Sequence, residues 1–155
     1  MKKFEYIKDP MKLAIELAKK CNENNDVPVG CTIINEKGQL IGSGYNSIIK
    51  KDDPIAHAEI LAIKNACSLV GTKKLSKSTM YVSLEPCVMC EAAIYQTKIQ
   101  KVFFAAYNNS SKKIFNYTKK KYHSERKKFQ YYGGFNQEDS EALLKRFFED
   151  LRKKI

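Results

Sequence analysis

A chain of 155 residues with 43% hydrophobic and 29% charged residues can bury roughly 70% of the surface its unfolded form exposes, so it needs no disulfides in order to fold. No apolar run approaches the roughly 18 residues needed to cross a bilayer, which excludes a membrane-spanning helix. Twenty-eight Lys and Arg against 17 Asp and Glu give a formal charge of +11, which favours a polyanionic partner such as nucleic acid; a lysine-rich proteome produces the same excess. The opening "MKKFEYIKDP" lacks an apolar leader, and five cysteines are an odd count for a disulfide framework. These features predict a cytoplasmic single domain over residues 1–155, its thiols free or on a metal.

In chain order, Asp9 and Pro10 read as the cap and first residue of a helix over about 10–24, with Ala14, Leu17, Ala18 and Cys21 at helical spacing. "NENND" breaks it. Two short β-rich runs follow, about 29–35 and 39–45, joined by "NEKGQ" as a hairpin. After the polar "IKKDDP", the stretch "IAHAEILAIKNAC" predicts a second helix with Ile60, Leu61, Ile63 and Cys67 on its apolar stripe. "STMYVSL" is a third strand, "CVMCEAAIYQT" a third helix and "KVFFAAY" a fourth strand. The pattern dissolves over about 108–134, apart from a weak strand near 128–132. The chain closes with an amphipathic helix over about 138–153 that aligns Leu143, Leu144, Phe147, Phe148 and Leu151. Strands alternating with helices after a hairpin imply an α/β fold: a three-layer α-β-α sandwich on a mixed five-stranded sheet.

The chemistry concentrates at two places. Cys87 and Cys90 in "LEPCVMC" lie one helical turn apart, so both can reach one metal ion, and a helix start favours the thiolates a metal needs. On their own they suit a redox disulfide, a structural zinc site and a catalytic zinc site equally. Thirty residues earlier, "HAE" offers His57 as a neutral nitrogen ligand. Glu59, two residues on, is a poor ligand but can approach a water beside the metal. Three protein ligands leave a tetrahedral position open, the arrangement of a catalytic zinc, and a carboxylate there can move the protons of a hydrolysis. Taken singly, His57 also suits packing or capping, Glu59 a solvated acid of a first turn, and Asn46 in "GYNS" a turn residue. The remaining histidine, His123, leaves a structural Cys2His2 site conceivable. Cys21, Cys31 and Cys67 lie on apolar faces and read as core fillers.

H-x-E followed by P-C-x-x-C is the signature of zinc nucleobase deaminases, and this chain carries both halves. With "VPVGCTII", "GYNS", "DPIAHAEILAI", "TMYVSLEPCVMCEAAI", "KVFFAA" and "ALLKRFFEDLR", the chain resembles the bacterial tRNA-specific adenosine deaminases of the cytidine deaminase superfamily. The resemblance spans most of residues 8–107 and 138–153. It implies a cytidine-deaminase-like fold and zinc-dependent hydrolytic conversion of adenosine to inosine at the wobble position of a tRNA anticodon stem-loop. A deaminase of a free base or nucleoside (cytosine, guanine or cytidine) is the alternative. The resemblance further implies one zinc per subunit held by His57, Cys87 and Cys90, with Glu59 as proton shuttle. Asn46 and the backbone at Ala58 would contact the flipped base, Val29 and Pro86 would line its pocket, and the enzyme would work as a homodimer.

The chain departs from that family after the fourth strand, where Tyr107 and Asn108 replace a usual Arg-Asp pair. The segment that follows interleaves Lys112, Lys113, Lys119, Lys120, Lys121, Arg126, Lys127 and Lys128 with Phe115, Tyr117 and Tyr122. Such a composition neutralises phosphate and stacks bases, and it also suits a solvated lysine-rich loop.

Overall fold

The computed structural model describes residues 4–109 and 129–155. Helix α1 (Pro10–Lys19) starts as its sequence dictates: the Asp9 carboxylate accepts the Lys12 N–H at 3.0 Å, and Pro10 supplies the first helical residue. The expected continuation to residue 24 is a tighter 3-10 segment, Lys20–Asn24, closed by Asn25 in a left-handed conformation. Strands β1 (Gly30–Ile34) and β2 (Leu40–Tyr45) form the hairpin. Asn35 Oδ1 closes its turn by accepting the N–H groups of Lys37 and Gln39, both at 3.0 Å, and Gly38 takes the positive φ of 73° that the turn requires.

Next come α2 (Ile48–Lys51), α3 (Ala58–Val70), β3 (Thr79–Leu84), α4 (Val88–Gln96), β4 (Lys101–Ala106), β5 (Gln130–Tyr132) and α5 (Gln137–Lys153). The strands order β2-β1-β3-β4-β5, with β1 antiparallel to both neighbours and β3, β4 and β5 parallel. The expected mixed five-stranded sheet is therefore present, and the weak strand near 128–132 is β5. The bulk of the basic segment, residues 110–128, lies outside the described residues.

Alternation along the strands divides the helices between two faces. On one, Thr32 donates its hydroxyl to Pro10 C=O at 2.9 Å, and Met11, Ala14 and Ile15 of α1 pack with Ala105, Tyr81, Phe103 and Leu143. On the other, Cys31, Ile33, Met80, Val82, Val102 and Phe104 join Ala58, Ala62, Ile63 and Ala66 of α3 and Ile94 of α4. The deepest stripe of α3 is thus the small one, Ala58, Ala62 and Ala66, while Ile60, Leu61 and Cys67 are only partly buried. The reason lies in β2. A Cβ on Gly42 would stand 2.4 Å from Ala62 O, and one on Gly44 2.6 Å from Ala58 O. Bare backbone lets α3 settle so close that only alanines fit beneath it. Gly30 does the same for α1, with Ala14 O 1.9 Å from where its Cβ would stand.

Helix α5 joins the α1 side through Ser140, whose hydroxyl donates to Ser83 C=O, while Ser83 Oγ accepts the Gly30 N–H at 3.0 Å. Its predicted apolar face is only half covered. Leu143, Leu144 and Phe147 are partly buried, but Phe148 and Leu151 remain 43% and 41% exposed.

Helix α2 was not expected from the polar run that contains it. The buried Asp26 creates it from a distance, accepting the N–H groups of Ile49 and Lys50 at 2.9 and 3.3 Å.

The close approach at Gly44 makes a direct prediction. Gly44→Val forces α3 off the sheet and destabilises the fold by about 1–3 kcal/mol, the usual scale of overpacking. The urea midpoint should fall and bound zinc should drop, because the displaced helix end carries His57; an unchanged midpoint contradicts the packing argument.

Candidate active site

Two helices begin side by side beyond the C-terminal ends of β2 and β3, and each is preceded by a candidate ligand. His57 precedes α3 with φ −70° and ψ 152°; Cys87 precedes α4 with φ −73° and ψ 169°; neither side chain caps its helix. Both are therefore free to turn towards each other. Cys87 was expected on the helix and instead occupies the residue before it, while Cys90 sits one turn in and is buried. Their relation survives the shift.

His57 Nδ1 lies 3.7 Å from Cys87 Sγ and 3.6 Å from Cys90 Sγ, and all donor atoms fall within 4.8 Å of one another. Zinc bonded at about 2.3 Å to sulfur and about 2.05 Å to nitrogen, at a tetrahedral angle, separates those donors by about 3.6 Å. The donor set therefore fits zinc in type and in spacing. Among the described residues it is the group of His, Cys, Asp or Glu side chains placed to hold a metal; His123 lies outside them.

The electrostatics agree with a cation site. The Cys90 thiol hydrogen-bonds to Cys87, and this contact with help from the His57 ring holds the Cys87 thiol down at about 4. The same contact pushes Cys90 well above the usual thiol range, with burial adding to it. His57 is raised, first by its hydrogen bond to Cys87. Glu59, only 4% exposed, is raised to about 7, chiefly by burial. It was expected near a frayed helix start; instead it is packed inward in the first turn of α3, where it meets the Cys90 thiol. A carboxyl poised near neutrality beside a three-ligand metal site can both take and return a proton.

Of the other predicted positions, Asn46 and Ala58 meet at the start of α3 and Pro86 adjoins Cys87. Asn46 ends the chain's run out of β2, with its Oδ1 accepting the Ala58 N–H at 2.9 Å and its Nδ2 donating to Val27 C=O at 3.1 Å. It is a brace between the β1 approach and the α3 start, a role that sequence reasoning missed. Ala58, Val29 and Pro86 are all buried. Tyr107 is 47% exposed and presents its ring edge-on to Phe104, 5.0 Å between centroids. The Asn108 N–H donates to Glu85 Oε2 at 3.0 Å, another contact not foreseen. Lys119, Lys120 and Lys121 lie outside the described residues. Cys21 and Cys31 are fully buried core fillers as expected, and Cys67 is partly buried.

A mixed α/β sheet that aims one imidazole, two thiols and a buried carboxyl at one point defines a zinc-dependent hydrolase of the deaminase class. The description of the cytidine and deoxycytidylate deaminase zinc-binding region matches residues 5–106. The tRNA-specific adenosine deaminase of Aquifex aeolicus is 39% identical, over 94% of this chain and 95% of that protein. The protein of the same description from Bacillus subtilis is 35% identical, over 93% and 89%. A solved structure from a study of A-to-I editing by tRNA:A34 deaminases at the wobble position of transfer RNA superposes with a TM-score of 0.76 and 28% identity, covering 87% of this chain and 98% of that one. Guanine deaminase from Bacillus subtilis superposes with a TM-score of 0.62 and 36% identity, covering 68% and 67%. The chain belongs to the cytidine and deoxycytidylate deaminase family and, by identity over nearly its whole length, to the tRNA-specific adenosine deaminases within it.

Zinc analysis should return one equivalent per chain, and His57→Ala or Cys90→Ala should reduce it to less than about a tenth. Full zinc retention in either variant removes that residue from the ligand set. Dialysis against a strong chelator should lower the melting temperature of the wild type only, because a ligand bound to the native state alone stabilises it by mass action.

Proposed function

We propose that the protein converts adenosine to inosine by hydrolysis at the wobble position of a tRNA anticodon loop, releasing ammonia. The observation that carries this reading is the convergence of His57, Cys87 and Cys90 beside the buried Glu59, in a chain 39% identical to a tRNA-specific adenosine deaminase along almost its full length. His57 Nδ1 and the two thiolates would hold the zinc, which when bound supplies a Lewis acid that brings the pKa of a water close to neutrality.

Glu59 then acts on both sides of the reaction. Its carboxylate takes one proton from the attacking water and passes it to the ring nitrogen, then takes the second from the hydroxyl newly added to the ring carbon and passes it to the departing amine, which leaves as ammonia. Burial supports this assignment, because it holds the carboxyl at about 7, where gain and loss of a proton are both accessible. Asn46 uses its carbonyl oxygen on Ala58 and one amide hydrogen on Val27; its second amide hydrogen remains for an acceptor on the base. The backbone at Ala58 would contact the ring, with Val29 and Pro86 as apolar walls of the pocket. Tyr107 and Asn108 would touch the nucleotides beside the target, and Lys119, Lys120 and Lys121 the phosphates. The active form would be a cytoplasmic homodimer with one zinc per subunit.

A second reading, deamination of a free base, draws on the 36% identity to a guanine deaminase over 68% of this chain. Ammonia release from guanine, cytosine and cytidine, measured beside inosine formation in a tRNA stem-loop with a wobble adenosine, separates the two. Turnover of a free base with none on RNA would reverse the ranking.

Glu59→Gln should slow inosine formation by roughly 10²- to 10⁴-fold, the span of general acid–base catalysis, with zinc content unchanged; near-normal turnover would remove Glu59 from the proton path. Replacing Lys119, Lys120 and Lys121 together with Ala should weaken stem-loop binding and flatten the log–log salt dependence by up to about 0.9 per lost phosphate contact. An unaltered slope assigns those lysines to solvent.

A further inference from the structure

Strands β3 and β4 run parallel, with Leu84 opposite Ala106. One more main-chain bond extends their ladder, from Glu85 N–H to Ala106 C=O at 2.8 Å. In a parallel ladder a residue that donates to one neighbour accepts, through its own carbonyl, from the residue two further along that strand. The regular partner of the Asn108 N–H is therefore the Glu85 carbonyl. The donor is met by the Glu85 side chain, Oε2, at 3.0 Å.

The substitution matters because the two chains part at this point. One turns through the buried Pro86 to Cys87 and the metal-binding turn of α4; the other carries Tyr107 and Asn108 out of β4. A side chain can span a widening gap that a carbonyl fixed to the backbone cannot. A carboxylate also makes a stronger bond to an N–H than a neutral acceptor does. Tyr107 is held independently by its edge-on contact with Phe104. The pair 107–108 is thus fixed at two points, one of them on the residue two before a zinc ligand.

We infer that Glu85 is a positioning residue: by holding the Asn108 N–H it sets the strand that flanks the target nucleotide at a fixed place relative to the zinc ligands. This rests on the proposal that Tyr107 and Asn108 contact RNA. Glu85 is not among the side chains grouped to hold a metal, so its loss should act on RNA alignment and spare the centre itself.

The test compares Glu85→Ala with Glu85→Gln, whose Oε1 can accept the same N–H. Glu85→Ala should keep one zinc per chain, bind an anticodon stem-loop about tenfold more weakly, raise KM by a similar factor and leave kcat within about threefold. Glu85→Gln should stay within about threefold of wild type in all of these. Amide hydrogen exchange at Asn108 should be slow in wild type and in Glu85→Gln, and fast in Glu85→Ala. If Glu85→Ala does not fold, Glu85→Asp, which keeps the charge but shortens the reach, should show the same losses.

Unchanged binding and KM in Glu85→Ala, a fall confined to kcat, or Glu85→Gln as impaired as Glu85→Ala would overturn the assignment. Wild-type protein that binds the stem-loop but forms no inosine would refute the proposed reaction, with the role of Glu85 in binding still decided by the variants. Wild-type protein that does not bind RNA at all would refute both.

Discussion

The depth at which α3 rests on the sheet governs the remainder of the molecule. Gly42 and Gly44 offer bare backbone to Ala62 and Ala58, and the helix sinks until carbonyl oxygens nearly touch the strand. That fixes the height of its first residue, and with it His57, against a second helix start carried on the β3–α4 connection. A helix held on larger side chains would lift His57 away from Cys87 and Cys90. The metal geometry is thus a consequence of packing between small residues some distance away, and only then of the ligands themselves.

Around the cage, the protein spends its polar groups on holding backbone. Asn46 braces the start of α3, Asp26 creates α2 beside it, and Glu85 bridges the parting of β3 and β4. Each acts on a main-chain N–H whose regular partner is missing at that point. Buried N–H groups without partners are costly, so these three side chains permit an irregular rim on a regular sheet.

Much of this was legible from residue order. Asp9–Pro10 announced α1 because a cap and a proline act locally, and the alternation of apolar runs announced the strands. The cluster of His57, Glu59, Cys87 and Cys90 was legible because its two halves are short motifs whose chemistry makes sense only together. What escaped has a common cause. Asp26 acts on residues 23 and 24 positions away, and Glu85 on one 23 away; no local pattern records such contacts. The stripe on α3 was misplaced for a related reason, since Ile60 and Leu61 outweigh alanine in any hydrophobic periodicity, whereas Gly42 and Gly44 decide which side chains fit. On α5, the stripe reached beyond its cover, and Phe148 and Leu151 remain exposed.

The uncapped starts of α3 and α4 also bear on what a bound ion would add to the fold. A residue before a helix ordinarily stabilises it by about 0.5–2 kcal/mol when Ser, Thr, Asn or Asp stands there with its oxygen on the first turn. His57 and Cys87 forgo that help. Substitutions that improved either helix in isolation would remove a ligand, so selection for stability and selection for activity pull these two positions in opposite directions. A bound zinc would reconcile them, because His57 and Cys87 would hold it from the two helix starts. The ion would add its stability at two helix starts that have no capping side chain of their own.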